Sequence, residues 1–194
     1  MEKKNKSKRY DTSGMLEAQF EPGSNDKVLK NLLKIKTVEE MDQAEALALK
    51  DAQDTLIKSY GGDHQFTAKD ICHMHKIWLG KIYAWAGEYR RVNLAKDDFK
   101  FATAAHKPQL MQSFEEEFLC KHTPCLLKKD DVARALAEVH VELVLIHPFR
   151  EGNGRSSRLL AILMALQAGL GRNYKPMEEV FKRIIEKSVS RVKK

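Results

Sequence analysis

Residues 147–158 read His-Pro-Phe-Arg-Glu-Gly-Asn-Gly-Arg-Ser-Ser-Arg, and they interrupt two apolar stretches of helical character. Upstream, Ala133, Leu136, Val139, Leu143 and Ile146 recur at helical spacing behind the acidic pair Asp130-Asp131. This predicts a helix whose first turn carries the charge that its dipole prefers. Pro148 has no amide donor and restricts the residue before it, so that helix must end at His147. Downstream, a Leu- and Ala-rich run from near Gly154 to Gly169 predicts a second helix, apolar enough to lie at the centre of a core.

The rest of the chain is read mostly as helix. A helical pattern covers residues 28–35. Thr37 then opens a capping box with Glu40, ahead of a long amphipathic helix through Met41, Ala44, Leu47, Ala48, Leu56 and Ile57 that Gly61-Gly62 ends. Thr67, paired with Asp70, starts another helix bearing Ile71, Met74, Trp78 and Leu79. Residues 87–94 alternate and contain β-formers, and Asp97-Asp98 precedes Phe99-Lys100-Phe101, which predicts one short two-stranded hairpin. Helix resumes over residues 108–121, Pro124 breaks it, and a last amphipathic helix follows Pro176. The expected fold is mainly α, a single domain over residues 25–194 after a basic, flexible segment at 1–24.

Composition narrows the class further. At 194 residues, 43% hydrophobic and 31% charged, the chain can bury a core without staples and is far from disordered or fibrous types. No apolar run approaches the ~18 residues of a membrane span, and the basic N-terminus is followed by no apolar signal core. Cys72, Cys120 and Cys125 make an odd count that suits free thiols in a reducing, cytoplasmic setting. A zinc site drawn from Cys72, His73, His75, Cys120, His122 and Cys125 lacks the paired spacing of structural zinc motifs. The net charge of +7 sits largely in Lys3 to Arg9 and in Arg191 to Lys194, which read as solvated tails rather than a nucleic-acid surface.

The 147–158 loop carries the chemistry. His147 is held at a helix end, and Gly152 and Gly154 permit close approach of a ligand to the backbone. Arg155 falls in the first turn of the next helix, at the wrong end of the dipole for stability but the right one for binding a polyphosphate. Arg158, three residues on, shares its face, and Glu151 offers a hard oxygen suited to Mg²⁺ brought in on phosphates. A base, a metal ligand, a backbone nest and two arginines suit attack by a hydroxyl on a nucleotide phosphate.

His147-x-Phe149-x-Glu151-Gly152-Asn153-Gly154-Arg155-x-x-Arg158 resembles the signature of the Fic family, with no position missing. Eight fixed residues match by accident in about 10⁻⁸ of chains this long. The segment from Tyr83 to Arg90, with the hairpin after it, resembles the family's approach to its flap. The resemblance implies a helical Fic core with a hairpin flap at about 88–103, and protein AMP transfer from ATP with release of pyrophosphate. It implies His147 as general base, Glu151 as Mg²⁺ ligand, and Gly152, Asn153 and Gly154 as the phosphate nest. Arg155 and Arg158 would hold the β- and γ-phosphates. Phe99, Lys100 and Phe101 would dock a segment of the target protein by strand addition. The Gly-Asn-Gly-Arg form favours AMP transfer over the related Doc branch, which has lysine after the asparagine.

Many relatives carry an inhibitory helix with the pattern [S/T]-x-x-x-E-[G/N]. Here Ser13 to Glu17 has the spacing but is followed by Ala18, and Ser113 to Glu117 is followed by Phe118. The expectation is a brake on a separate antitoxin-like protein, or regulation of another kind. Transfer of a phosphoryl or UMP group on the same scaffold, and a basic nucleic-acid-binding regulator, stand as the alternatives.

Overall fold

The computed structural model describes residues 14–96, 98–126 and 129–170. Both basic termini and the helix expected after Pro176 lie outside them. The core helices are α1 (Val38–Ser59), α2 (Ala68–Leu79), α3 (Lys107–Phe114), α4 (Cys120–His122), α5 (Lys129–Ile146) and α6 (Asn153–Gln167). A π turn, Glu115–Leu119, joins α3 to α4. The strands β1 (Ala95–Lys96) and β2 (Phe99–Lys100) pair antiparallel, Ala95 opposite Lys100 and Lys96 opposite Phe99.

The box expected at Thr67 forms in full, whereas at Thr37 only the cap forms, without the reciprocal bond from Glu40 to the Thr37 amide. Thr37 accepts from the Glu40 amide, and Thr67 and Asp70 form a complete capping box. The Glu115 carboxylate in the π turn also accepts from the Ala68 amide at 2.6 Å, which satisfies one more donor at the start of α2. Helix α6 buries Leu159, Leu160, Ala161, Leu163, Met164 and Ala165, so its apolar residues ring the helix and place it centrally. It packs along α5, α2 packs along α1, and α2 also reaches α6. The site loop therefore emerges between two helices that pack along each other, α5 and α6.

Three local expectations differ from the structure. Residues 28–35 form no helix. Leu29 bridges Phe20, and the Asn31 side chain bonds the Leu29 carbonyl, the Ile35 carbonyl and the Ile35 amide. Asparagine offers the backbone an alternative to helical bonding, and here that alternative wins. The hairpin is shorter and later than residues 87–94 suggested, with strands of two residues on either side of 97–98. On α1 the buried stripe runs Met41, Glu45, Ala52 and Leu56, whereas Leu47 is 68% exposed. A glutamate occupies a position that the helical period assigns to the core.

Of the segment at 1–24, residues 1–13 lie outside the described residues. In the remainder, the Glu17 carboxylate accepts from the Arg91 amide at 2.6 Å and its carbonyl accepts from Arg150 Nε at 2.9 Å.

Candidate active site

His147 ends α5 with φ of 55°, a left-handed conformation that a non-glycine residue rarely adopts. Its amide donates to the Leu143 carbonyl at 3.1 Å, so the histidine takes the place usually given to a glycine after a helix. Two buried cations hold this turn. Arg90, 1% exposed, donates from Nε to the His147 carbonyl and from Nη2 to that of Ala102, and Lys107, fully buried, donates to the Ile146 carbonyl. Cations at the carbonyl end of a helix are favourably placed, which offsets part of the cost of burying them without a carboxylate.

The imidazole is also fixed. Its Nδ1 lies 3.1 Å from the Val144 carbonyl, which can only accept, so Nδ1 carries the proton and Nε2 keeps a free lone pair. Burial holds the His147 pKa below the usual histidine value, and the charges of Arg90 and Lys107 act in the same direction. The ring is therefore neutral at physiological pH. Phe101 stacks on it with ring centroids 3.7 Å apart, and Phe99 meets Phe101 edge-on. The hairpin thus leads directly over the histidine.

The rest of the loop is braced from inside. Asn153 is 3% exposed and its amide side chain bonds both the amide and the carbonyl of Phe149, at 2.8 and 2.9 Å. What it can still offer a ligand is its backbone N–H. Phe149 is fully buried and stacks on His75 with centroids 3.9 Å apart. His75 accepts from the Gly87 amide through Nδ1, so its Nε2–H donates to the Glu151 carbonyl. Burial drives its pKa down to about 4, so it is a neutral brace.

Gly152 caps α6 with φ of 79°, and a Cβ there would lie 2.6 Å from the Trp78 ring. It has no side chain to satisfy the first turn, so the amides of Asn153, Gly154 and Arg155 lack helical acceptors. At Gly154, by contrast, a Cβ would meet only Arg158 Nη1, at 3.5 Å. The two arginines differ. Arg155 pairs with Glu45 at 2.6 Å and Glu151 at 3.3 Å, whereas Arg158 has no ion pair among the described residues. Arg158 is exposed beside Arg155, and partial desolvation followed by that neighbouring charge lowers its pKa.

Glu151 directs one carboxylate oxygen to the Gly152 amide at 2.8 Å. Among the described residues no group of three or more acidic, histidine or cysteine side chains could hold a metal unaided. The residues of the zinc sketch go elsewhere: His75 serves the loop and His122 meets Glu138 at 2.8 Å. No described helix is long and apolar enough to cross a membrane.

The loop expected from sequence is thus brought together. Its supports, Glu45, His75, Arg90 and Lys107, were not singled out as parts of the site. Glu45 and His75 could have been noticed as ionisable residues on apolar helical stripes; Arg90 and Lys107 leave no such signal.

A neutral histidine ends one helix, and the next begins at a glycine cap whose following amides lack helical acceptors, in a mainly helical domain. Residues 65–165 match the Fic/DOC family model, and the chain belongs to that family. It is 32% identical over 163 residues to protein adenylyltransferase VbhT of Bartonella schoenbuchensis, covering 76% of this chain and 32% of that protein. It is 30% identical over 154 residues to "Probable protein adenylyltransferase Fic" of Salmonella typhimurium, covering 76% of this chain and 72% of that one. The chain therefore spans about a third of the first relative and most of the second. The fold is shared with BepC of Bartonella tribocorum, solved with bound AMPPNP, at a TM-score of 0.66 and 22% identity over 80% of each chain. It is also shared with the N-terminal Fic domain of an effector from Bartonella sp. AR 15-3, at 0.66 and 24% identity, covering 80% of this chain and 75% of that one.

Proposed function

We propose that this chain is a protein adenylyltransferase, moving AMP from ATP to a hydroxyl group of a target protein. The observation that carries the reading is the tautomer of His147: with Nδ1 committed to the Val144 carbonyl, Nε2 is a free acceptor beneath the hairpin. The target hydroxyl loses its proton to Nε2 as its oxygen bonds to the α-phosphorus. The bond to the bridging oxygen breaks, and pyrophosphate leaves. The amides of the α6 first turn, with Arg155 and Arg158, receive the phosphates. The open contact around Gly154 supports this, since packing within the protein alone does not demand a glycine there. The names of the two relatives agree with it.

A divalent cation, Mg²⁺ in this reading, would be held by Glu151 together with phosphate oxygens, and would neutralise charge on the phosphates. The hairpin, with Phe99, Lys100 and Phe101, would align a target segment by strand pairing, which places its hydroxyl near His147. The lack of an ion pair to Arg158 among the described residues, and of a complete inhibitory motif in the sequence, supports regulation by a separate antitoxin-like chain that brings an acid to that arginine. A cytoplasmic site of action is part of this reading, in keeping with cysteines that suit free thiols in a reducing setting.

Labelling with ATP carrying radioactivity at either the α- or the γ-phosphate tests the reading. Transfer from the α-labelled nucleotide alone, lost in His147→Ala, is expected. Transfer of the γ-label would instead mean phosphorylation, and efficient competition by UTP would mean UMP transfer.

A further inference from the structure

Glu45 lies on α1, outside the stretch that matches the family, and is only 3% exposed. A carboxylate so buried requires partners for both oxygens. Tyr83 donates its hydroxyl to Oε1 at 2.8 Å, and Arg155 Nη2 donates to Oε2 at 2.6 Å. The Glu45 carbonyl accepts from Trp78 Nε1 at 2.9 Å. The Trp78 ring in turn lies 4.7 Å from the Arg155 guanidinium carbon and is the surface against which Gly152 is packed. One residue of α1 thereby touches both Arg155 and the ring beneath it, leaving Glu151 as the other carboxylate on that arginine.

We propose that Glu45 is a positioning residue for nucleotide binding, holding Arg155 in place before ATP arrives. The assignment rests on the reading of Arg155 as a phosphate ligand. Two roles are open to an acid on such an arginine: it can orient the cation, or it can compete with phosphate for it. The geometry favours orientation. Glu45 engages one terminal nitrogen, and a guanidinium has five donors in a planar fork, so the remaining edge stays available to phosphate. Glu45 is also held by Tyr83 and by its place on a 22-residue helix, so it has no ready route away from the site. A fixed counter-charge further permits Arg155 and Arg158 to stand side by side with no anion bound.

The test is calorimetric binding of Mg-ATP to wild type, Glu45→Gln and Tyr83→Phe, beside steady-state AMP transfer and thermal melting. Glu45→Gln keeps the shape and removes the charge. It is expected to weaken ATP binding about tenfold and raise the KM for ATP equally, with kcat changed less than threefold, because Arg155 grips phosphate before and during the reaction. Tyr83→Phe leaves the carboxylate but frees one oxygen, and is expected to weaken ATP binding about threefold, which keeps the idea testable should Glu45→Gln fail to fold. Tighter ATP binding in either variant would make Glu45 a competitor and overturn the proposal. Unchanged affinity alongside a lowered melting temperature would reduce it to a structural role. Wild type that binds ATP but transfers no AMP would sink the adenylyltransferase reading alone, whereas wild type with no ATP affinity would sink both.

Discussion

Arg90 Nε donates to the carbonyl oxygen of His147 at 2.7 Å, and the same guanidinium donates to Ala102 at 2.7 Å and to Val92. One buried cation therefore ties the proposed base to both ends of the hairpin that stacks on it. The left-handed turn at His147 and the path of the hairpin share this one side chain, so a shift of either is felt by the other.

Arg90→Lys is expected to separate them. An ammonium lacks the planar fork, so it cannot meet three carbonyls that surround a guanidinium. Leaving two buried carbonyls short of donors should cost about 2 kcal/mol or more. Misplacing the base should lower kcat by on the order of 10²-fold. Urea denaturation and AMP-transfer kinetics check the two parts, and a kcat within threefold of wild type would show that the hairpin and base are set by something else.

Lys107 acts on the same turn through charge. Burial, then repulsion from Arg90, lowers its pKa to about 8, so at pH 7 it is still a cation beside His147. A nearby cation disfavours protonation of the imidazole. Removing it in Lys107→Met should therefore raise the His147 pKa, moving the acid limb of the rate profile to higher pH. A profile of kcat/KM from pH 5 to 8 reads this directly. A limb that moves down or stays in place contradicts the assignment of His147 as the titrating base.

How much of this was legible in the sequence depends on the range of the signal. The caps at Thr37 and Thr67, the stop at Pro148 and the turn at Gly152 are local, and local chemistry decides them. Residues 28–35 have a helical pattern, but Asn31 bonds its neighbours' backbone and Leu29 is drawn to Phe20, a tertiary choice that periodicity cannot show. The residues of the 147–158 loop are contiguous, so one stretch of sequence displays them all. Its supports come from α1, α2, the segment before the hairpin and α3, between 39 and 110 residues away from their partners. No spacing rule spans such distances.

His75 gives a pH-dependent stability. Its folded pKa of about 4 lies below the ordinary 6.5, so between those values the unfolded chain binds the extra proton. Stability therefore falls as pH drops from 6.5 towards 4, and the share from His75 alone between pH 7 and 5 is about 2 kcal/mol. His75→Gln should be less stable at pH 7, having lost the stack on Phe149, yet show a shallower decline. Equal slopes for both proteins in urea titrations at pH 7, 6 and 5 would mean that His75 does not stay neutral.

The two loop glycines should respond oppositely to the same added methyl group. At Gly152 the backbone is left-handed and a Cβ would sit 2.6 Å from Trp78, so Gly152→Ala strains the turn and pushes on the ring that underlies Arg155. A loss of about 1–3 kcal/mol in stability is expected, together with lost nucleotide affinity. At Gly154 the backbone is helical and a Cβ meets only Arg158 Nη1 at 3.5 Å, an ordinary contact. Alanine is the better helix former by up to about 1 kcal/mol, so Gly154→Ala should fold as well as wild type or better. If phosphates pass over this turn, the same methyl group stands where they must approach, and ATP affinity should fall by at least tenfold in a protein that is no less stable. Melting curves and calorimetric titration with Mg-ATP separate the two effects. A Gly154→Ala protein that binds ATP as tightly as wild type would place the nucleotide somewhere other than the start of α6.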